Sequence, residues 1–487
     1  MMSGRILILI GTWLVLALPL TAADIDTRGA VRGDGRYDTE KSTVVIDGRV
    51  DFDVDIGPLT LGGAYRAYDF GRGGYNPRGI EPAYGLKHRY IEGRGRGLFF
   101  RGGHYFSTFG RGLTLRSFED IDLEYDTSLD GFIAEYEAGP FAFTGLGGRV
   151  TERVTDVRQR EYRVRGGRVG VSLDPGVSVA ASGVSRDTEV EDSEVSLPKE
   201  LSEFADHVIG GEAEVWLGSV SFAGEYAWRR GDYYPELSRG REDGHALYLT
   251  GTAATSWSTW LAEYKDYDRF EHALINPPTC VRDHVWILMN RVTHQVDLGD
   301  ERGFLAEGTL MPSPGLQISG GASEARRRDR DLAHWEIFGQ VDHSPPVRGV
   351  SSVAASWSRE YVLERFTEHV TAVIDIVYEI AAAKTVEIEL EAQQTEEPSG
   401  EIFETYLTSI SLYPTSGLSL SLVGETTSQA GLDKDFWLFG DIRTTIAGDF
   451  EVSLGGGRER GGKKCSGGVC FTEPEFTGIR LRFLSYF

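Results

Sequence analysis

Hydrophobic and polar positions alternate with a period of two along most of the chain, and helical periodicity is nearly absent. In RVDFDVDI, Val50, Phe52, Val54 and Ile56 alternate with Asp51, Asp53 and Asp55. In TVEIELEA, Val386, Ile388, Leu390 and Ala392 alternate with Glu387, Glu389 and Glu391, and VSFAGEYAW sets Val220, Phe222, Tyr226 and Trp228 against Ser221, Ala223 and Glu225. Between such runs lie tight turns of Gly, Pro, Asp and Ser, as in IGPLTLGGAY from Ile56, AGPFAFTGLGG from Ala138 and PTSGLSLSLVGE from Pro414. These turns fall near residues 57, 97, 139, 175, 218, 256, 313, 346, 382, 416 and 448. With both chain ends on the same side, eleven turns predict about 24 strands, with a range of 22–26 set by the uncertainty of boundaries read from sequence.

A soluble sandwich alternates in the same way, so the setting must come from other features. The connections opposite the turns are long and polar: Ser185–His207, Gly231–Gly244 and Glu271–Arg302. Aromatic residues stand near strand ends at Tyr65 and Tyr68, Trp257 and Trp260, Trp357 and Tyr361, and Trp437 and Phe439, as interface girdles would require. Residues 1–23 read as a cleaved signal peptide, with a basic start, a 15-residue apolar run from Ile6 to Leu20, and small residues at Thr21, Ala22 and Ala23. The last residues, GIRLRFLSYF, form an alternating strand in which Ile479, Leu481, Phe483 and Phe487 share one face. That segment resembles the closing strand of bacterial outer-membrane barrels, read by the barrel-insertion machinery, with Ser485 a departure from the usual apolar residue. The expectation is an all-β chain: a single large antiparallel transmembrane β-barrel over 24–487, with short periplasmic turns and long extracellular loops, in the bacterial outer membrane. Fewer than about 20 residues would precede its first strand, too few for a separate plug domain.

Composition narrows the partners. A net charge of −24 argues against nucleic acid. The mean hydropathy of −0.25 fits a barrel, because only alternate strand residues meet lipid. A charge facing hydrocarbon costs roughly 2–4 kcal/mol near the midplane. The acidic rows Asp51/Asp53/Asp55 and Glu387/Glu389/Glu391 and the basic rows Arg163/Arg165 and Arg480/Arg482 are therefore expected to face the lumen. Either they brace the wall as ion pairs or they line a polar path for a solute. Of fifty Lys and Arg, only eight are Lys, a bias toward the planar fork that suits paired carboxylates and phosphates. The acidic stretch Glu189–Asp206 and the arginine clusters Arg229–Arg230 and Arg326–Arg328 are candidates to meet lipopolysaccharide, directly or through divalent cations.

Two segments carry too many apolar residues for exposed loops and are expected to fold inward, near 104–128 and 271–301. In the first, Arg111, Arg116, Glu119 and Asp120 are candidates to line a constriction. The stretches FGRGLTLRSFED from Phe109, NPPT from Asn276, HVWILMNRVTHQ from His284 and GGKKCSGGVC from Gly461 together resemble an uncharacterised family of bacterial outer-membrane β-barrel proteins, a domain of unknown function. The resemblance implies one continuous barrel domain and carries no catalytic or binding residues with it.

Cys465 and Cys470 flank SGGV in a Gly-rich loop, where a disulfide fits an oxidising compartment and two thiols alone make a poorer metal site. Cys280 with His284 and His294 is too loosely spaced for zinc, and no metal or other cofactor is expected. There is no G-x-S-x-G, H-E-x-x-H or P-loop, so an enzyme is not expected, although a triad assembled in space would escape a sequence search. The leading expectation is a channel, or a barrel that binds and takes up a polar solute through a loop-constricted lumen. The alternatives are a plugged structural or partner-docking barrel, and an outer-membrane hydrolase.

Overall fold

The computed structural model describes residues 25–69, 83–121, 125–155, 158–173, 176–192, 203–233, 240–241, 243–270, 274–291, 294, 300–327, 333–345, 349–362, 365–466 and 469–487. The signal segment lies outside them. Twenty-four antiparallel strands, from Ile25–Asp38 to Phe476–Tyr486, each pair with their neighbours in sequence, and the last pairs back onto the first. Closure is what a bilayer demands, since an open sheet edge would leave backbone N–H and C=O groups unpaired in hydrocarbon. Nine of the eleven short turns lie wholly among the described residues and occur where the sequence predicts them, from Gly57–Pro58 to Ala447–Asp449, while those near 175 and 346 fall partly outside the described residues. At about 4.8 Å per strand and a tilt near 40°, a circular barrel of this size is roughly 45–50 Å across between backbones.

Several strands outrun the membrane. Arg158–Leu173 and Val177–Asp192 each have 16 residues, against about 9–11 needed to cross. The expected loop Ser185–His207 is correspondingly shorter, because the strands continue to Asp192 and resume at Glu203.

The outer face is apolar and open: Phe132, Ile209, Phe222, Val353, Ile442, Leu454 and Ile479 are all more than half exposed. The inner face carries the charges, and most of the predicted rows are zipped. Arg28 bonds Asp53 at 3.2 Å and Asp55 at 2.5 Å, and Arg49 bonds Asp51 at 2.8 Å. Arg480 grips Glu459 with its two terminal guanidinium nitrogens, and Arg482 reaches Asp34 at 3.1 Å. Glu387 accepts the Tyr413 hydroxyl at 2.8 Å. Glu389 is the exception, directly opposite Asp375 in register and beside Glu387 and Glu391.

Three expectations about facing are corrected. Arg163 and Arg165 point outward, because Tyr162 and Val164 hold the inward positions between them. The arginines sit on the part of the strand that rises toward the extracellular end. Of the girdle aromatics, Trp257, Trp260 and Trp357 are outward and exposed, but Tyr68, Trp437 and Phe439 are buried inside. Tyr65 and Tyr68 are an odd number of residues apart and so take opposite faces of one strand. Arg229 is also inward, 2% exposed and bonded to Asp206, so only Arg230 of that pair is left for lipid.

The closing seam shows what the terminal aromatics do. Ala30–Asp38 pairs with Gly478–Tyr486, and Phe487 exchanges two backbone hydrogen bonds with Gly29, at 2.8 and 3.0 Å. The Phe483 and Phe487 rings lie over Gly33 and Gly29, where any Cβ would run into them. Gly33→Val should therefore block closure. The folded, heat-modifiable band on cold gel electrophoresis should fall several-fold, and a normal folded fraction would refute this role for the ring and glycine contact.

Candidate functional site

The described residues of two segments, 106–121 with 125–128 and 274–291 with 294, pack against inward-facing side chains of the wall. The first runs from Phe106 to Ser128. Its FGRG turn needs glycines, with φ of +57° at Gly110 and +94° at Gly112. A Cβ on Gly110 would strike the Glu212 and Glu225 carboxylates. Glu225 takes the Arg111 N–H at 2.5 Å and also faces the amides of Leu113 and Thr114. Phe109, Leu113 and Leu115 are fully buried against the inward-facing Leu146, Val164, Val184 and Val208 of the wall. Each such side chain removed from water is worth about 1.5–3 kcal/mol.

The second segment, Leu274 to His294, is a strap laid along the opposite wall. Tyr267 donates to the Pro278 carbonyl at 2.9 Å, and Lys265 donates to the Thr279 carbonyl and to Glu301, both Lys265 and Glu301 being fully buried. Arg282 meets Glu307 at 3.1 Å and His284 meets Glu336 at 2.8 Å. A helical turn, Ile287–Asn290, directs the N–H groups of Ile287 and Leu288 at the two oxygens of Glu391, at 3.0 and 2.8 Å, where the positive end of the turn favours a carboxylate. Arg291 then forks onto Glu425 at 2.6 and 2.9 Å. Trp286 and Met289 pack on Phe338, Ala354 and Val373. Leu274 and Cys280 hold φ of +61° and +52°, a backbone strain that persists only because the packing around it leaves no alternative. Burial pushes the Cys280 thiol up to about 12, so the chain's described free cysteine is chemically quiet.

The segments touch each other. The Arg116 side chain and backbone N–H reach the carbonyls of Asn276 and Leu274, at 2.9 and 2.7 Å. At the far end Arg460 shares Glu425 with Arg291, and Gly462 lies against the Arg291 guanidinium. The connection after Glu459 is itself a hairpin, Gly462–Ser466 with Val469–Glu473, and its Glu473 accepts from Arg36 on the first strand at 3.0 Å. On the other side Glu119 takes a bidentate fork from Arg49 on the second strand. An inner layer thus runs from Arg49 round the lumen to Arg36, on neighbouring strands.

Of the predicted constriction residues, Arg111 and Arg116 both border the space between the two segments. Glu119 and Asp120 instead form a small hairpin with Tyr125 and Asp126, and Glu119 is held to the wall. Asp51, Asp53, Glu387, Arg480 and Arg482 are braces within the wall, and Glu389 lies in an acidic patch. Cys465 and Cys470 are direct backbone partners in the terminal hairpin, and their side chains lie outside the described residues. The inward carboxylates that anchor the loops, Glu225, Glu301, Glu336 and Glu425, were not singled out from sequence. Their signal lies in adjacent apolar residues with one outward and one inward, such as Val208–Ile209 and Phe338 with Ile337.

His88, Glu119 and Asp126 converge closely enough to hold a metal. Lys87 already fills that role, its amine 3.0 Å from Glu119 and 3.1 Å from Asp126. Ser128 and Asp126 both approach the same nitrogen of His88, Nε2, at 3.3 and 3.0 Å. A hydrolytic relay needs them on opposite nitrogens, so this trio does not form one.

Residues 35–305 and 353–487 match the model of a family of unknown function, DUF6029. The chain belongs to that family. No curated protein matches it. Among solved structures, this chain resembles an E. coli P pilus tip assembly intermediate, PapC–PapD–PapK–PapG, with TM-score 0.52, 10% identity, and 96% of this chain and 62% of that one covered. The P pilus usher PapC translocation pore aligns with TM-score 0.49 and 9% identity over 95% of this chain and 99% of that one. The siderophore receptor PirA of Pseudomonas aeruginosa aligns with TM-score 0.49 and 6% identity over 95% and 80%. At 10% identity the likeness to the pilus assembly intermediate is one of fold alone.

Two outcomes follow for the strap. Glu301→Gln strands the buried Lys265 amine and should cost about 3–5 kcal/mol in urea unfolding of the protein in bilayers, whereas Glu301→Leu with Lys265→Met should recover much of it. Equal losses in both variants would argue against a paired-charge anchor. His294 faces Glu301 at 2.9 Å and Glu360 at 3.9 Å, with Lys265 nearby and His334 stacked at 5.3 Å. Burial opposes its charge, but the carboxylates override it and hold its pKa above the ordinary histidine value. Its contribution to stability is thus complete below about pH 6.5 and is lost as pH rises through the folded-state value. Amide exchange at 287–291, corrected for intrinsic rates, should quicken between pH 6 and 9, and an unchanged protection factor would sink the idea.

Proposed function

We propose that this barrel resides in the bacterial outer membrane and passes or captures a polar solute through a lumen narrowed by its own loops. The observation that carries the reading is the inner layer. Two segments and a hairpin lie inside a barrel far wider than its wall requires, and they are fastened by charged groups that water can still reach at Arg111 and Arg116. A lumen of this width is otherwise filled by a plug or left as a channel. The signal segment and the apolar outer face support the location. The arginines at 163 and 165, on the outer surface above the apolar rows, suit lipopolysaccharide phosphates, and the closing strand suits the barrel-insertion machinery. The backbone pairing of Cys465 with Cys470 suits a disulfide that stiffens the terminal hairpin.

A plugged docking barrel is the second reading, favoured by how deeply Lys265 and Glu301 are buried. Single-channel current in a planar bilayer separates the two. Steady open currents are expected for the protein as it stands, and Arg111→Ala or Arg116→Ala should raise conductance or shift ion selectivity. Glu391→Gln with Arg291→Ala, which frees the strap's far half, should raise conductance several-fold. Inserted protein that stays silent in every variant would overturn the channel reading in favour of the docking barrel.

A further inference from the structure

Where the two inner segments meet, a recess of about 510 Å3 opens between them and the wall. Arg111 and Arg116 of the first segment, Tyr248 and Glu263 of the wall, and Pro277 and Thr279 of the strap line it. The charges here are arranged unlike those elsewhere inside the barrel. Arg49, Arg168, Arg282, Arg291 and Arg480 each meet a carboxylate. Arg116 donates one N–H to the Asn276 carbonyl and lies 5.2 Å over the Phe118 ring, and among the described residues no carboxylate bonds it. Burial, with no carboxylate to offset it, pulls its pKa below the usual arginine value. Across the recess Glu263 accepts the Tyr248 hydroxyl at 2.5 Å, and among the described residues no cation pairs with it. Arg111 is tied only loosely, 3.7 Å from Glu214, and is half exposed. The site therefore offers a guanidinium on the first segment, Arg116, and a carboxylate on the wall, Glu263, each without a bonded counter-charge among the described residues, with Arg111 loosely paired beside them.

Resting on the loop-constricted reading above, we infer that this recess binds a small zwitterionic solute, whose carboxylate meets Arg116 and whose ammonium meets Glu263. A purely anionic solute would gain Arg116 but confront Glu263, with Glu225 and Glu212 close behind. A purely cationic one would gain Glu263 but confront two guanidinium groups. Only a solute bearing both charges answers each, and specificity then comes as much from the mismatched charge as from the matched one.

The test is calorimetric titration of the purified full chain in detergent with three probes of similar length: 5-aminopentanoate, pentanoate and pentylammonium. The zwitterion should bind at least tenfold more tightly than either singly charged probe. Arg116→Gln should remove its advantage over pentylammonium, and Glu263→Gln its advantage over pentanoate. Arg28→Gln, a brace far along the wall, should leave all three unchanged. Because Arg116 also holds the two segments together, each variant is checked for heat-modifiable mobility, and Glu263→Gln decides if Arg116→Gln fails to fold. Equal binding of the three probes, no binding, or affinities indifferent to Glu263→Gln would overturn the site. Open bilayer currents alongside any of those results would leave the channel reading intact, whereas a silent bilayer with zwitterion-selective binding would sink the channel and keep the recess.

Discussion

Everything in this protein depends on the pairing of its first strand with its last. In hydrocarbon an unpaired backbone group has no water to turn to, so a sheet that spans must close. Here closure joins Ala30–Asp38 to Gly478–Tyr486 across more than four hundred residues of intervening chain. The contact is also the most distant in sequence among the strand pairings. Two glycines on one side and two phenylalanine rings on the other make it self-identifying, because a one-residue slip would put a ring against an occupied position.

Closing at twenty-four strands creates the second constraint, a wide interior that cannot be filled by wall side chains alone. The chain meets it with carboxylates. Glu225 and Glu391 take backbone N–H groups from the incoming segments, while Glu425, Glu301 and Glu336 take side-chain cations and imidazoles. This accounts for part of the large acidic excess: inward acids are anchoring points for loops as well as partners for arginines across the sheet. The apolar residues that the loops bring with them then cover inward-facing Val164, Val208, Phe338 and Val373, which would otherwise face water.

The strand number and the turns among the described residues were legible in the sequence because period two and turn chemistry are local signals. The charge rows were legible as rows, but not always as to side. Arg163 and Arg165 obey the alternation, and only the burial of Tyr162 and Val164 beneath the first segment shows that they face out. The anchoring acids were illegible for a different reason. Glu225 looks like any inward charge until a loop residue more than a hundred positions away is seen to hydrogen-bond to it. A usable trace did exist in pairs such as Val373–Ile374 and Ile133 with Phe132, where both faces of a strand are apolar at one level. In a barrel with a wet lumen such pairs should be rare, so each one marks a place where the lumen is covered.

The inner layer begins on Arg49 and ends on Arg36, two strands that lie side by side. Mechanically it is a hoop inside a hoop. A thin wall of this girth bends easily, and lateral pressure from the lipid would tend to flatten it into an oval. Tie-points spread over the strand of Arg49, the strand of Glu225, and on through Glu307, Glu336, Glu391 and Glu425 resist that flattening, as cross-bracing stiffens a drum. Cutting the tie at any one of them therefore softens the whole circumference, including the stretch of wall farthest from the cut.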